Sequence, residues 1–245
     1  MALTERQNEI LKRLKENKTA VVSQLASDLF VSEATIRRDL AEMKSMGLIE
    51  RSHGGALLPE NAEEISIFFR MEKNASEKER AATKALPHIP PVKSVFIDSS
   101  STALALAERI DLSFKTVVTN NLQTAIQLSK KPNINLILLG GNVHFNTNSA
   151  TGSWTARQLA DFSFDLMISS CAAILGSEVF ERSLEQKEIK RVAFEHCKKR
   201  ILLIDHTKFN AQGTYRLSAL KDYDLIVTDA PPPEPLDVGE AKLIF

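Results

Sequence analysis

Two adjacent arginines, Arg37 and Arg38, lie within the stretch VSEATIRRDLAEMKSMGLIERSHGGA, residues 31–56. Apolar residues recur there with the spacing of one buried helix face, at Ile36, Leu40 and Met43. A rotation of about 100° per residue then places Arg38 outward and Arg37 with Lys44 on one flank. Guanidinium groups on an exposed helix can bond guanine edges or DNA phosphates. The spacing therefore predicts that Arg38 reads a base while Arg37 and Lys44 hold the backbone.

Small residues surround the outward arginine in this predicted helix. Ala34 and Ser45 fall within about 20° of the outward direction and Ala41 within about 40°, which would let the helix enter a major groove. The alternative is a solvated helix face, on which Arg38 pairs with Glu42 four residues later. A helix that forms part of a DNA-binding motif favours the first interpretation.

Three short helices and a hairpin are predicted to position these side chains. Thr4 and Gln7 have the spacing of a capping box at the start of the first helix. Residues 22–30 repeat a helical pattern over about two turns, Ser32 can cap the third helix, and Gly47 can end it. A tight turn between the second and third helices is typical of a helix-turn-helix.

The segment LIERSHGGALL alternates apolar and polar residues and turns at Gly54 and Gly55, which predicts a short β-hairpin, so that the whole resembles a winged helix. Arg51 and His53 are either wing contacts to phosphate or minor groove, or ordinary turn residues. The residues predicted to contact DNA are Ser32, Ala34, Thr35, Arg37, Arg38, Lys44, Arg51 and His53.

From Val92 onward, candidate strands alternate with helical stretches. The strand candidates are SVFID, TVVTN, NLILLG, LMISS, RILLID and LIVTD, with KLIF as a possible last strand. This alternation predicts an α/β domain with a mostly parallel, Rossmann-like sheet covered by helices. Before it, Ser76 and Glu79 have the spacing of a capping box for a helix that ends at Leu86.

The carboxyl ends of the main strands carry polar residues or glycine, at Asp98, Asn120, Gly140, Ser170, Asp205 and Asp229. In open α/β sheets these ends form the ligand crevice. The alternative is that short polar residues end strands and cap helices in many proteins. The run DSSST, residues 98–102, favours a ligand because hydroxyls and amides there meet a helix N-terminus, an arrangement that binds anions.

Further segments at this edge could serve a phosphorylated sugar. Backbone amides and Lys208 suit a phosphate, whereas Asp98, Asn120 and Asp205 suit sugar hydroxyls. The residues predicted to bind this effector are Asp98, Ser99, Ser100, Ser101, Thr102, Thr119, Asn120, Gly140, Gly141, Ser170, Asp205 and Lys208.

The quoted segments together resemble the DeoR/GlpR family of bacterial transcriptional regulators. The similarity lies in the Arg-Arg-Asp-Leu run, the His-Gly-Gly-Ala wing, and the DSSST, TN and DHTKF segments. The resemblance implies a winged helix joined to a sugar-phosphate-sensing domain, whose fold is shared with ribose-5-phosphate isomerase and CoA transferases. It also implies a role in transcription.

The composition sets the remaining expectations. A length of 245 residues suits two domains, and the formal net charge of zero means that DNA binding must rest on a local arrangement. We predict a DNA-binding domain over residues 1–58, a linker over 59–75 and a sensing domain over 76–245. Without a signal peptide or a long apolar run, we expect a cytoplasmic protein. The two cysteines have no metal-ligand spacing and are expected in the core.

The sequence thus predicts a ligand-responsive transcriptional regulator, most simply a repressor of sugar metabolism genes. Its expected partners are operator DNA, a phosphorylated sugar and a second copy of itself, because one small module per chain reads symmetric DNA as a dimer. No cofactor, metal or catalytic residue is expected. The rival is an isomerase-like enzyme, in which Asp98, Asp205, Lys208 and Glu185 would move protons.

Overall fold

The computed structural model describes residues 3–57 and 66–245. Contacts divide the chain into two compact units, Met1–Arg70 and Met71–Phe245. The expected linker, residues 59–75, begins outside the described residues. Its described part includes a helix, Ile67–Glu72, which contains the division between the units. The domain boundaries given above therefore remain predictions.

The first unit contains short helices and a three-stranded antiparallel sheet. Its elements are α1 Glu5–Asn17, β1 Thr19–Val21, α2 Val22–Asp28, α3 Glu33–Ser45, β2 Glu50–Ser52 and β3 Gly55–Leu57, with α4 Ile67–Glu72 at its end. The sheet order is β1-β3-β2, in which β2 and β3 are the predicted hairpin. Strand β1 was not predicted, because three residues beside a helical pattern give no alternation to detect.

Local signals at the helix ends are confirmed by the structure. The Thr4 side chain accepts from the Gln7 amide, and the Gln7 side chain accepts from the Thr4 amide, which completes the capping box of α1. Ser32 caps α3 through the amide of Thr35. Gly47 follows α3 with φ 67°, a left-handed conformation that glycine adopts without strain. The second helix ends at Asp28, two residues earlier than expected.

The second unit is the predicted α/β domain. Its helices are α5 Ala75–Ala85, α6 Ser101–Ala107, α7 Leu122–Leu128, α8 Ser153–Ala160 and α9 Leu184–Glu195. The strands of its main sheet are β4 Ser94–Ile97, β5 Thr116–Thr119, β6 Asn135–Leu138, β9 Phe164–Ser169, β12 Cys197–Ile204, β14 Leu225–Thr228 and β15 Lys242–Ile244. All seven predicted strands are confirmed, in the order β15-β14-β12-β9-β4-β5-β6, and every pairing is parallel.

Two small sheets lie outside this main sheet. One is the hairpin of β7 Asn142–His144 with β8 Ser149–Thr151, and the other joins β10 Ala173–Leu175, β11 Glu178–Glu181 and β13 Tyr215–Ala219. Their strands are short, and the sequence analysis did not predict them. In the described part of the chain, no helix has the length and apolar character needed to cross a membrane.

One local prediction in the second unit is wrong. Ser76 and Glu79 do not form a capping box, because α5 begins at Ala75 and Ser76 lies inside it. Asn74 precedes the helix with φ 54°, and its side chain donates to Asp205 Oδ1 at 3.2 Å instead of capping the helix. The residue before α5 thus bonds to a side chain 131 residues away. A contact over this distance cannot be predicted from the residues that neighbour the start of the helix.

Candidate DNA-binding and ligand-binding sites

Helix α3 buries the face that the sequence assigned to the core. Ile36, Leu40 and Met43 are completely buried. The opposite face is exposed, at Ala34, Arg37, Arg38, Ala41, Lys44 and Ser45. Small residues and basic side chains thus share the solvent side of one helix, the arrangement that a major-groove contact requires.

Two contacts from α1 hold the inner side of α3. Arg6 binds Asp39 in bidentate fashion, with Nε 2.5 Å from Oδ2 and one terminal nitrogen 3.2 Å from Oδ1. Gln7 donates to Glu42 at 2.8 Å. Glu42 is therefore engaged with α1, and the alternative pairing with Arg38 does not form. The sequence analysis did not identify Asp39 as the anchor, since its partner lies 33 residues away.

The two adjacent arginines differ in their surroundings. Arg37 donates to Glu33 at 2.7 Å across one helical turn. Arg38 forms no hydrogen bond or ion pair with any residue of the described segments. An exposed pair contributes little to stability, so Arg37 can exchange Glu33 for a phosphate at small cost. These positions agree with the predicted division between base reading and backbone contact, which remains a prediction.

The wing is held close to β1 by a glycine. A Cβ on Gly55 would lie 2.1 Å from the backbone oxygen of Ala20, so only glycine fits there. His53 is exposed at the hairpin turn and Arg51 is half-buried in β2. Ser32 and Thr35, at the start of α3, share a side-chain hydrogen bond of 2.9 Å. DNA contact by these four residues remains a prediction.

In the second unit, Asp98 lies at the centre of a buried polar network. Its Oδ1 accepts from the amide of Ser100 at 2.9 Å and from the Ser100 hydroxyl at 2.5 Å. Its Oδ2 accepts from the Ser169 hydroxyl at 2.8 Å, the Ser170 amide at 3.1 Å and Lys190 Nζ at 3.0 Å. Both carboxylate oxygens are thus already engaged within the protein.

Lys190 is the buried cation of this network, a role that is not predicted from the sequence. Its Nζ also lies 2.6 Å from Glu181 and 2.7 Å from the backbone oxygen of Ser170. Burial raises the pKa of Asp98, but Lys190 and the Ser100 bonds outweigh this and hold that pKa below its usual value. Burial raises the pKa of Glu181 and outweighs the opposing effect of Lys190. A lysine on a helix usually indicates a solvated face, so only the fold reveals this role.

Two buried oxygens flank Asp98 without partners. Asn120 Oδ1 and Ser170 Oγ are inaccessible to solvent and have no hydrogen bond with any described residue. They lie beyond β5 and β9, the strands on either side of β4. The amide nitrogen of Asn120 is engaged, since it donates to the backbone oxygen of Ala150 at 2.9 Å. Unpaired buried polar atoms are costly, and they mark this part of the strand edge as a place for a ligand hydroxyl or water.

The predicted anion loop, residues 99–102, is buried and largely satisfied by the protein. Ser99 donates its hydroxyl to Gln186 at 2.6 Å, and the Ser100 hydroxyl both bonds Asp98 and caps α6 through Ala103. Gln186 in turn donates to Ser149 at 2.7 Å. Thr119, at the end of β5, accepts from the amide of Asn121 at 3.2 Å. Effector contact by residues 99–102 and Thr119 remains a prediction.

The strand order separates the predicted effector residues. Asp205 and Lys208 follow β12, whereas Gly140 and Gly141 follow β6, four strand positions away. Four spacings of about 4.8 Å amount to roughly 19 Å, more than one sugar phosphate spans. Asp205 caps the following turn through the amide of Thr207 at 3.2 Å. This spacing favours a ligand that contacts only part of the set, and the role of each residue remains a prediction.

Comparisons with known proteins cover nearly the whole chain. Residues 6–62 match the family model of the DeoR-like helix-turn-helix domain, and residues 73–230 match that of the DeoR C terminal sensor domain. The HTH-type transcriptional regulator GolR of Listeria innocua is 35% identical over 92% of this chain and 90% of its own. The glycerol-3-phosphate regulon repressor of Escherichia coli is 32% identical over 95% of this chain and 93% of its own.

A solved structure also aligns with part of this chain. Ribose 5-phosphate isomerase A from Neisseria gonorrhoeae aligns with a TM-score of 0.38 and 12% identity, over 55% of this chain and 53% of that chain.

Proposed function

Because the chain belongs to the DeoR family of transcriptional regulators, we propose that it represses sugar metabolism genes and that a phosphorylated sugar alters its DNA binding. The observation that carries this proposal is the arrangement of α3. Small residues share its exposed face with Arg38, which has no hydrogen bond or ion pair with a described residue. The same chain carries a sensor domain matched over residues 73–230. DNA recognition and ligand binding are thus combined in one protein.

The effector is proposed to bind at the carboxyl edge of the main sheet. Support comes from the unpaired oxygens of Asn120 and Ser170, which a ligand hydroxyl would satisfy, and from the polar strand ends around them. Asp98 has a mainly structural part in this proposal, since Lys190 and the serines occupy its oxygens. Asp205 and Lys208 would serve the β12 side of the edge, and Gly140 and Gly141 the β6 side.

Turnover of the ligand is not part of the proposal. GolR and the glycerol-3-phosphate regulon repressor each match over more than nine tenths of this chain. Their names describe a transcriptional regulator and a repressor, which favours regulation over the isomerase alternative. At least two chains are needed to read a symmetric operator, because each chain supplies one winged helix. Light scattering after size-exclusion chromatography would measure the number of chains.

Two measurements test the proposal. The purified protein is first used to select duplexes from fragmented genomic DNA, and its affinity for them is compared with that for shuffled sequences. Thermal unfolding is then followed with glycerol 3-phosphate, pentose phosphates and hexose phosphates, because a ligand of the folded state raises the midpoint. We expect specific DNA binding and a raised midpoint with at least one phosphate. Rapid isomerisation of a pentose phosphate, without sequence-specific DNA binding, would support the enzyme instead.

A further inference from the structure

A groove of about 400 Å³ lies at the β6 side of the sheet edge, beside the start of α8. It is lined by Gly141, Asn142, Thr151, Gly152, Ser153 and Trp154. Most of these residues belong to the β7–β8 hairpin and to the first turn of α8, and among them the sequence analysis singled out only Gly141. None of the lining residues is acidic.

The helix α8 presents unpaired donors to this groove. Its N-cap is Gly152, which has φ 93° and offers no capping side chain. The amides of Ser153, Trp154 and Thr155 find no acceptor in the described parts of the chain. The first amides of a helix lack internal acceptors and carry the positive end of its dipole, so they bind anions when left open.

A buried hydroxyl provides a second, independent indication of a ligand. Thr151 lines the groove and is 1% exposed, yet its hydroxyl has no hydrogen bond with any described residue. Its backbone oxygen accepts from the Thr155 hydroxyl at 3.0 Å, and its backbone pairs with that of Asn142 in the β7–β8 hairpin. Because the rest of the Thr151 side chain is enclosed, a molecule in the groove is the partner that this hydroxyl can still take.

The groove is held rigidly and has a cation nearby. The Thr155 hydroxyl donates to the Gly140 backbone oxygen at 2.8 Å, and Gln158 Nε2 donates to the same oxygen at 3.0 Å. A Cβ on Gly141 would lie 2.0 Å from Thr155 Oγ1, so glycine permits this close approach. The Arg157 guanidinium lies 5.5 Å from the centre of the Trp154 ring, and it forms no ion pair among the described residues.

We propose that this groove, which we call the α8 groove, binds the phosphate of the phosphorylated effector. The inference rests on the proposed function and places the phosphate away from residues 99–102, where the carboxylate of Asp98 lies close by. The hairpin connects the groove to the unpaired Asn120 oxygen, because Ala150, next to Thr151, accepts from the Asn120 amide. The sugar would therefore extend from the α8 groove towards Asn120.

Trp154 makes the proposal directly testable. It is the single tryptophan of the chain and is 62% exposed at the groove. Its fluorescence is titrated in the full chain with inorganic phosphate, against sodium chloride at matched ionic strength. The wild-type emission should change with phosphate and saturate. Sugar phosphates that also reach Asn120 should saturate at lower concentration, and equal affinities across a panel would contradict this placement of the sugar.

Matched variants test the individual contacts. Thr151→Val keeps the side-chain volume and removes the hydroxyl, so phosphate affinity should fall about tenfold, the value of one charge-assisted hydrogen bond. Asn142→Ala, at an exposed position of the groove, should also lower the phosphate affinity. Thr83→Val makes the same change on the exposed side of α5 and should bind phosphate like the wild type.

Three results would overturn the proposal. The first is a Trp154 fluorescence that does not change when phosphate is added. The second is equal phosphate affinity of Thr151→Val and the wild type. The third is a loss of phosphate binding in Lys208→Ala that does not occur in Thr151→Val. Operator affinity is measured for the same samples without phosphate. Specific operator binding together with any of these results would reject the α8 groove and leave the proposed regulator intact. Absence of specific DNA binding in the wild type would reject the proposed function itself.

Discussion

Lys190 Nζ lies 3.0 Å from Asp98 Oδ2 and 2.6 Å from Glu181 Oε1, with all three side chains buried. One ammonium is thus shared by two carboxylates behind the strand edge. Removing the partner of a buried charge is costly, because the remaining charge stays desolvated. The network fixes the ends of β4 and β9 and the strand β11 relative to α9, and so shapes the proposed site from within.

We expect Lys190→Met to lower the free energy of unfolding by about 3 to 5 kcal/mol, because two buried carboxylates lose their cation. Urea unfolding followed by circular dichroism measures this change. Lys187→Met on the same helix removes only a partly exposed contact with Glu188 at 3.7 Å and should cost less than about 1 kcal/mol. Similar losses in the two variants would mean that the network contributes nothing particular to stability.

Asp165 should make stability depend on acid pH. Hydrogen bonds from Lys198 and from the amides of Lys93 and Ser94 lower the pKa of Asp165 from 3.8 to about 2. The unfolded chain therefore binds this proton more readily, and the contribution of Asp165 is complete above about pH 4 and disappears as pH falls through about 2.

We expect Asp165→Asn to be less stable than the wild type near pH 5, and the difference to shrink as the pH falls towards 2. Urea midpoints measured from pH 5 downwards test this trend. Asp161→Asn removes a carboxylate from an exposed position without side-chain bonds and controls for net charge. A difference that grows on acidification would show that the sign is wrong.

Apolar patterns predicted the main sheet and the winged helix because burial there follows local periodicity. The runs that became β4, β5 and β14 are buried over nearly their whole length, and three of the four residues in β4 and in β14 are apolar. The end of each strand could also be predicted, and with it Asp98 and Asn120. The face of α3 followed from three apolar residues and helix geometry.

Long-range pairing explains what the sequence did not reveal. Lys190 and Glu181 look like solvated charges until the fold brings them to Asp98. Thr151 lies in a small hairpin and Trp154 in the first turn of a helix. Neither residue belongs to a sequence pattern that indicates a ligand site. The separation of β12 from β6, roughly 19 Å across the sheet, follows from strand order, which alternating elements alone do not specify.

The exposed face of α3 leads to a prediction about DNA recognition. Arg38→Ala should cost about 1 to 3 kcal/mol and relax the base preference at one operator position, because a guanine contact is lost. Arg37→Ala should lower the affinity for all DNA sequences alike. It should also reduce the salt dependence of that affinity by about one phosphate contact. Fluorescence anisotropy with operator variants at several salt concentrations separates the two effects. Equal loss of selectivity in both variants would contradict the assignment.

The last prediction concerns the coupling between ligand and DNA. If the effector releases DNA, it must bind the conformation of low DNA affinity more tightly than the conformation of high DNA affinity. Bound operator must then lower the effector affinity by the same factor by which the effector lowers the operator affinity. Calorimetric titration with the sugar phosphate that stabilises the protein most, with and without saturating operator, measures this factor. A shuffled duplex of equal length controls for nonspecific DNA. Anisotropy gives the reciprocal factor, the loss of operator affinity in saturating effector. Identical effector affinities in the two titrations would mean that the ligand site does not control DNA binding, whereas equal factors above about fivefold would establish the coupling.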